Sequence, residues 1–106
     1  MDIPVVDLKT GTPKVIQSKH VIFFESKEGD TIIHTRTAEY RPAYALRDFA
    51  PILLPEGFET LEKSNLTNMT EVMDYDSSSK KAFFDKSRKG KHVNVSRRNK
   101  EKLEGI

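Results

Sequence analysis

The stretch HVIFFESKEGDTIIHTR, residues 20–36, decides the fold. Its first part, 20–25, is the most apolar run of the chain and is rich in β-branched and aromatic side chains, which is typical of a central core strand. Residues 26–30 are polar and predict a loop, and residues 31–36 predict the returning strand. The stretch therefore predicts a β-hairpin whose first strand lies in the core.

Short strands are predicted on both sides of this hairpin, separated by turns that contain glycine, proline or runs of polar residues. One such turn lies at residues 9–13, and a basic turn lies at residues 86–90. A succession of this kind is typical of a mainly β protein built from short antiparallel sheets. The further strands are predicted at residues 3–8, 14–16, 39–41, 69–75, 80–85 and 93–95.

Two helices interrupt the β pattern. Residues 43–50 place Phe49 and other apolar side chains on one face at helical spacing, with Leu53 as a further candidate for that face. This predicts one helix that covers one side of a sheet. A second, short helix is predicted at about residues 97–104, and Ser96 is a favourable residue type for its N-cap.

The length and composition favour one domain over residues 1–106. Hydrophobic residues make up 36% and charged residues 32%, so the chain is polar for a globular domain without being disordered throughout. The absence of cysteine excludes disulfides and thiolate metal sites. No apolar run approaches the ~20 residues of a membrane span and the N-terminus lacks the order of a signal peptide, so we expect a cytoplasmic protein without membrane insertion.

The charge is distributed unevenly along the chain. Residues 1–79 carry 8 Lys and Arg against 13 Asp and Glu, whereas residues 80–106 carry 10 against 3. The overall net charge of +2 therefore combines an acidic segment with a strongly basic one. A basic block of this size is the electrostatic footprint of a phosphate-binding face, and a solvated tail is the alternative.

Motifs for catalysis or metal binding are missing from the sequence. His20, His34 and His92 lie on different predicted strands without a second histidine at helical spacing, and each is expected to be a surface or strand-edge residue. A nucleophile elbow, a glycine-rich phosphate loop and a dinucleotide fingerprint are also missing. We expect no enzyme activity and no cofactor.

The basic residues are the remaining feature of the sequence that indicates a function. Ser96, Arg97, Arg98 and Asn99 follow a short strand and open the last helix. Arginine can bind guanine and asparagine can bind adenine with two hydrogen bonds each, so this corner has the residue types that read DNA bases. A solvated basic helix end explains the same residues equally well.

Three segments resemble the LytTR family of bacterial DNA-binding domains. Residues 21–26 (VIFFES) resemble the opening core strand of the family, an apolar run that ends in Glu-Ser. Residues 58–68 (FETLEKSNLTN) are similar to its central segment, and residues 93–98 (VNVSRR) resemble its closing Val-Ser-Arg-Arg. The resemblance extends from about residue 3 to residue 104, and residues 43–50 lie where the family has its covering helix.

The resemblance implies an elongated β fold that binds double-stranded DNA by inserting loops into successive major grooves. It implies contacts from the loop at 26–30, from the segment at 63–65 and from the corner at 97–99. We also expect two lysines of the basic block to contact phosphates, with each alanine substitution reducing the salt dependence by about one charge. The candidate DNA-binding residues are Lys27, Gly29, Asp30, Lys63, Ser64, Asn65, Lys89, Lys91, Arg97, Arg98 and Asn99.

The central segment departs from the family pattern. Glu62 stands where the family usually has histidine, Asn65 replaces an aromatic residue and Thr67 replaces valine. An acidic side chain repels phosphate, which puts the central contact in doubt. The opening strand and the closing motif keep the family pattern.

Response regulators of this family usually carry a receiver domain, for which residues 1–106 have no room. The sequence leaves open a stand-alone regulator or an excised domain. We expect a transcriptional regulator that binds tandem or repeated sites, with a homodimer on DNA and a regulatory protein partner as options. The alternative function is a protein-interaction module on the same scaffold, a partner or inhibitor of a larger regulator without its own DNA specificity.

Overall fold

A computed structural model describes residues 1–42 and 46–104, with side chains described throughout except at positions 46–48. Within it, β3 (Phe23–Lys27) and β4 (Asp30–His34) form the predicted hairpin. Lys27 pairs with Asp30, so the connecting turn is Glu28-Gly29. Both turn residues have left-handed backbones, with φ of 53° and 87°, which is the conformation that matches the twist of a tight hairpin.

The hairpin lies inside a seven-stranded antiparallel sheet with the strand order β2-β1-β5-β4-β3-β7-β6. The sheet places β3 between β4 and β7, so the most apolar strand is paired on both edges, as expected for a central strand. Its remaining members are β1 (Asp2–Asp7), β2 (Pro13–Gln17), β5 (Glu39–Pro42), β6 (Phe58–Glu59) and β7 (Asn65–Asn68).

One α-helix, α1 (Leu46–Leu53), covers one face of this sheet. Residues 43–45 lie outside the described residues, and so does the predicted start of the helix. The helix was predicted to end at about residue 50, and α1 continues through Pro51 to Leu53. Proline removes one backbone hydrogen bond, and burying Phe49 and Leu53 in the core offsets that loss.

A second sheet has three strands in the order β10-β9-β8, namely β8 (Asp74–Asp76), β9 (Lys81–Phe83) and β10 (His92–Asn94). The predicted strand at 69–75 is wrong in its first half, where Met69–Glu71 forms a 3₁₀ turn. The Asn68 side chain explains the turn, since its carbonyl oxygen accepts hydrogen bonds from the backbone N–H (3.2 Å) and hydroxyl (2.7 Å) of Thr70.

Two hydrophobic cores result, and β3 contributes to both because successive side chains of a strand point to opposite faces. Phe24 belongs to the first core, together with α1, and Phe23 belongs to the second, together with the small sheet. The first core contains Ile3, Val5, Val21, Phe24, Ile33, Tyr40, Phe49, Leu53, Phe58 and Leu66. The second contains Ile22, Phe23, Leu61, Val72, Ala82, Phe84, Val93, Val95 and Leu103.

The last element is a 3₁₀ helix, Arg97–Leu103, at the position predicted for the second helix. Ser96 lies at its N-cap position but its hydroxyl makes no capping hydrogen bond. The helix is held by Leu103, which is 2% exposed in the second core. The described residues extend over 38 × 28 × 25 Å.

His34 corrects one expectation, because it is 7% exposed and not a surface residue. Its ring stacks on Phe23 with 4.2 Å between centroids, and its Nε2 lies 2.8 Å from a carboxylate oxygen of Glu25. Burial lowers the pKa of His34, and the Glu25 carboxylate opposes that effect. The neutral form is therefore favoured in the folded protein.

Among the residues that the structure describes, no helix has the length and apolar character needed to cross a membrane. No group of three or more histidine and carboxylate side chains in the same ranges could hold a metal ion.

Candidate nucleic-acid interface

Backbone hydrogen bonds bring the three predicted contact regions into one row. The Ser26 N–H donates to the Ser64 carbonyl at 2.8 Å, which joins the β3–β4 turn to the loop between β6 and β7. The Ser96 N–H donates to the Leu61 carbonyl at 2.8 Å, which joins that loop to the start of the last helix. We call this row, residues 26–30, 60–64 and 96–99, the loop edge.

The β3–β4 turn forms the first part of the loop edge. Lys27, Gly29 and Asp30 are all exposed, as predicted for a projecting loop. Glu28 is exposed as well, so the turn carries two carboxylates and one ammonium group. Carboxylates accept hydrogen bonds from the cytosine amino group but repel phosphate, so this turn suits base edges better than the DNA backbone.

The central loop keeps Lys63 exposed at its tip. Ser64 is half-buried, and its hydroxyl donates to a Glu62 carboxylate oxygen at 2.6 Å. The acidic residue that departs from the family pattern therefore has a partner inside its own loop. Lys63 is the residue of this loop that is free to meet a phosphate, since it forms no ion pair within the described ranges.

Asn65 does not project from the surface as predicted, because its side chain is 4% exposed. Its amide nitrogen donates to the Asn94 carbonyl at 2.9 Å, and its oxygen accepts from the Leu61 N–H at 3.2 Å. The same oxygen accepts from the Thr67 hydroxyl at 3.2 Å. Asn65 therefore ties the central loop to β10, and its polar atoms are not available to a ligand.

The start of the last helix forms the third part of the loop edge. Arg97 and Arg98 are exposed and form no ion pair with any described residue. Asn99 is half-buried, and its amide nitrogen donates to the Leu61 carbonyl at 3.1 Å and to the Ser96 hydroxyl at 2.7 Å. A two-bond contact to adenine needs that nitrogen, which is engaged within the corner here, so the predicted contact from Asn99 to DNA stays a prediction.

Lys89 and Lys91 lie away from the loop edge. They flank the turn between β9 and β10, whereas Arg97 follows the opposite end of β10. The Lys91 ammonium is half-buried and donates to the carbonyls of Thr35 (2.9 Å) and Ala38 (3.2 Å). Burial lowers its pKa, against the opposing effect of nearby carboxylates. Lys91 therefore joins the two sheets, and its predicted contact to a DNA phosphate stays a prediction.

Two further cations were not identified from the sequence as functional candidates. Lys80 and Lys100 are exposed and line a cavity of about 420 Å³ together with Arg97. The sequence signal for them is the basic composition of residues 80–106, which does not show which lysines converge. Arg36 was also overlooked, and it is structural, since its guanidinium donates to the Phe84 carbonyl at 2.6 Å and to Glu71 at 3.2 Å.

The chain matches both a family model and solved structures. The family model described as the LytTr DNA-binding domain matches residues 13–106. Among solved structures, the chain is similar to the LytTr DNA-binding domain of a protein described as a methyl-accepting/DNA response regulator from Bacillus cereus, with a TM-score of 0.77 and 19% identity over 97% of this chain and 94% of that chain. No curated protein sequence matches the chain. The structural likeness confirms the mainly β fold expected from the sequence.

Proposed function

The chain belongs to the LytTR family of DNA-binding domains, and we propose that it is a transcriptional regulator that binds specific sequences of double-stranded DNA through the loop edge. The observation that carries this proposal is the pair of backbone hydrogen bonds, Ser26 to Ser64 and Ser96 to Leu61, that holds three polar loops in one row. Loops fixed on a rigid β scaffold are suited to binding, because little conformational entropy is lost when they meet a ligand.

Different residues of the loop edge bind phosphates and read bases. Lys27, Lys63 and Arg97 supply exposed positive charge, which gives affinity without sequence preference. Arg98 is the residue we assign to base reading, as a two-bond contact to guanine in the major groove.

A second copy of the chain on an adjacent site fits this proposal. Two copies on tandem or repeated sites would raise each other's effective concentration, which increases the overall affinity although each contact surface is modest. We propose residues 1–106 as one binding unit acting in the cytoplasm. Residues 1–12 lie outside the family match, but β1 pairs with both β2 and β5 and so belongs to the same sheet.

The test is the substitution Arg98→Ala, assayed on a site selected from a random duplex pool. We expect a loss of about 1–3 kcal/mol on the selected site, with a flattened preference at the base that Arg98 reads. Arg41→Ala is the comparison variant, because Arg41 is an exposed arginine on β5 that belongs to none of the three loops. Equal loss on every sequence would make Arg98 a phosphate contact. A pool that enriches no sequence would contradict the proposed specificity.

A protein-interaction module is the second candidate function. Residues 1–79 have five more acidic than basic side chains, and Val6, Leu8 and Val15 are exposed apolar residues of the first two strands and the turn between them. An acidic, partly apolar surface suits a protein partner better than DNA. Co-purification of one stable protein partner, without salt-dependent duplex binding, would favour this function over the first.

A further inference from the structure

A second group of cations lies beside the loop edge, around the cavity of about 420 Å³. We call it the basic cavity. Its lining residues are Tyr75, Ser77, Lys80, Arg97, Lys100, Leu103 and Glu104. Three of them carry positive charge and one carries negative charge, so the cavity has a net positive lining. Nothing in the proposed reading of DNA bases uses Lys80 or Lys100.

The 3₁₀ geometry of the last helix builds one wall of the basic cavity. A 3₁₀ helix has about three residues per turn, so residues i and i+3 lie above one another. Arg97, Lys100 and Leu103 therefore form one row, and the last of them, Leu103, is buried in the second core. Arg98 belongs to the next row, so the two neighbouring arginines point to different faces of the helix.

Lys80 supplies the opposite wall, and the backbone fixes its place. Its carbonyl accepts a hydrogen bond from the Val95 N–H at 2.9 Å, two residues before Arg97. Its φ is 57°, a left-handed conformation that side chains other than glycine, asparagine and aspartate rarely adopt. This conformation belongs to the turn between β8 and β9, and Glu28 in the β3–β4 turn has a similar φ of 53°.

The carboxylates of the adjacent strand point away from the basic cavity. Asp74 and Asp76 alternate with Tyr75 along β8, so they lie on the opposite face from the tyrosine. Both face Arg88, whose guanidinium lies 2.6 Å from Asp74 and 3.5 Å from Asp76. Hydrogen bonds from Ser78 hold the pKa of Asp76 at about 2, so it stays ionised and engaged there.

The three cations of the cavity have no such partner. Lys80, Arg97 and Lys100 form no ion pair with any residue that the structure describes, and Glu104 is the one carboxylate among the lining residues. Like charges that converge on a concave surface raise the local concentration of anions. The positive charge of the cavity lining therefore exceeds the negative charge that its lining residues supply.

We propose that the basic cavity binds the phosphate group of a small phosphorylated molecule. Ammonium and guanidinium groups form charge-assisted hydrogen bonds to phosphate oxygens, and Tyr75 and Ser77 bring hydroxyl donors to the same lining. The half-buried ring of Tyr75 offers apolar surface to the rest of the molecule. The volume falls within the ~300–1,000 Å³ of small-molecule sites. This inference goes beyond the proposed DNA reading and does not depend on it.

The test is a titration of the whole chain with inorganic pyrophosphate in the absence of DNA, at constant ionic strength. We expect saturable NMR shifts confined to the amides around Ser77, Lys80 and Arg97. Lys80→Ala/Lys100→Ala should weaken pyrophosphate binding at least tenfold. Lys19→Ala is the matched control, since Lys19 is an exposed lysine in the 3₁₀ turn Ser18–His20, and it should leave the binding curve unchanged.

Three outcomes would overturn the proposal. Shifts spread over all exposed lysines and proportional to the pyrophosphate concentration would mean non-specific screening. Equal binding by the double variant and the parent would place the anion elsewhere. Absence of pyrophosphate binding, combined with weaker duplex binding by the double variant, would make these lysines contacts to the DNA backbone. Because no DNA is present in the titration, its result is separate from that of Arg98→Ala.

Discussion

His34 is a titratable residue enclosed between an aromatic ring and a carboxylate. Burial lowers its pKa below the ordinary value of 6.5, so the unfolded chain takes up the proton before the folded chain does. Stability is therefore complete above pH 6.5 and decreases as the pH falls below that value. We expect His34→Gln to flatten the pH dependence of the free energy of unfolding between about pH 7.5 and 5.5, measured by urea denaturation.

His20→Gln is the control for this experiment, because His20 is exposed. The aspartates with lowered pKa values lose their stabilising effect only in more acidic solution, below about pH 4, so they do not obscure the histidine window. Identical slopes for the parent and His34→Gln would show that His34 titrates alike in the folded and unfolded chains.

The backbone conformation of Lys80 also affects stability at the scale of a single residue. A non-glycine residue with a φ of 57° is strained, and glycine removes that strain because it has no β-carbon. We expect Lys80→Gly to raise the free energy of unfolding by about 1 kcal/mol. Lys80→Ala removes the same charge but keeps the β-carbon, so the difference between the two variants isolates the backbone term. Equal stabilities would mean that the turn does not hold Lys80 in this conformation.

At the scale of elements, Asn65 holds the loop between β6 and β7 against β10. Its substitution by alanine leaves the Leu61 N–H and the Asn94 carbonyl without these partners. An unsatisfied buried polar group costs about 1–3 kcal/mol, so we expect Asn65→Ala to lower the free energy of unfolding by about 2–4 kcal/mol. Chemical denaturation measures this loss.

The neighbouring exposed residue is the control. Lys63→Ala should change the free energy of unfolding by no more than about 0.5 kcal/mol. If Asn65→Ala keeps full stability and loses DNA affinity instead, the original expectation of a direct contact from Asn65 would return.

The sequence predicts the secondary-structure elements that depend on residues close together in the chain. The hairpin at 20–36 and the apolar face containing Phe49 and Leu53 follow from the spacing of apolar residues, and both are present. The 3₁₀ turn at Met69–Glu71 was not predicted, because the capping by Asn68 competes with a strand-like composition. The family motif placed the last helix correctly but could not indicate its 3₁₀ geometry, which decides where Arg97 and Arg98 point.

The candidate site was predictable in outline and less so in detail. The three loops were identified from their polarity and from the family motifs, and the structure brings them into one row. The sequence could not show that Asn65 and Lys91 are held within the fold, because their partners lie 29 and 56 residues away along the chain. Composition marks such residues as polar, whereas burial by a distant element depends on the tertiary fold.

At the scale of the whole molecule, the salt dependence of DNA binding shows how many cationic side chains contact phosphates. If Lys27, Lys63 and Arg97 contact phosphates, the logarithm of the binding constant should fall with the logarithm of salt concentration with a slope of about −3. Lys63→Ala should reduce that slope by about one. Fluorescence anisotropy on a labelled duplex over a series of salt concentrations measures it.

Lys91→Met tests the location of the interface in the same assay. Because the Lys91 ammonium is bonded to two carbonyls between the sheets, its loss should reduce thermal stability and leave the salt slope unchanged. A smaller slope for Lys91→Met would place the DNA on the turn between β9 and β10 and not on the loop edge.

The alternation of Phe23 and Phe24 in β3 has a consequence for how this chain can change during evolution. Each ring serves a different core, so either position can be exchanged for another apolar residue with a local cost. The loss or gain of one residue between them would instead move every following side chain of the strand to the wrong layer. Insertions and deletions should therefore accumulate in the turns at residues 9–12 and 86–90, whereas the length of β3 stays constant even among relatives whose sequences have diverged almost completely.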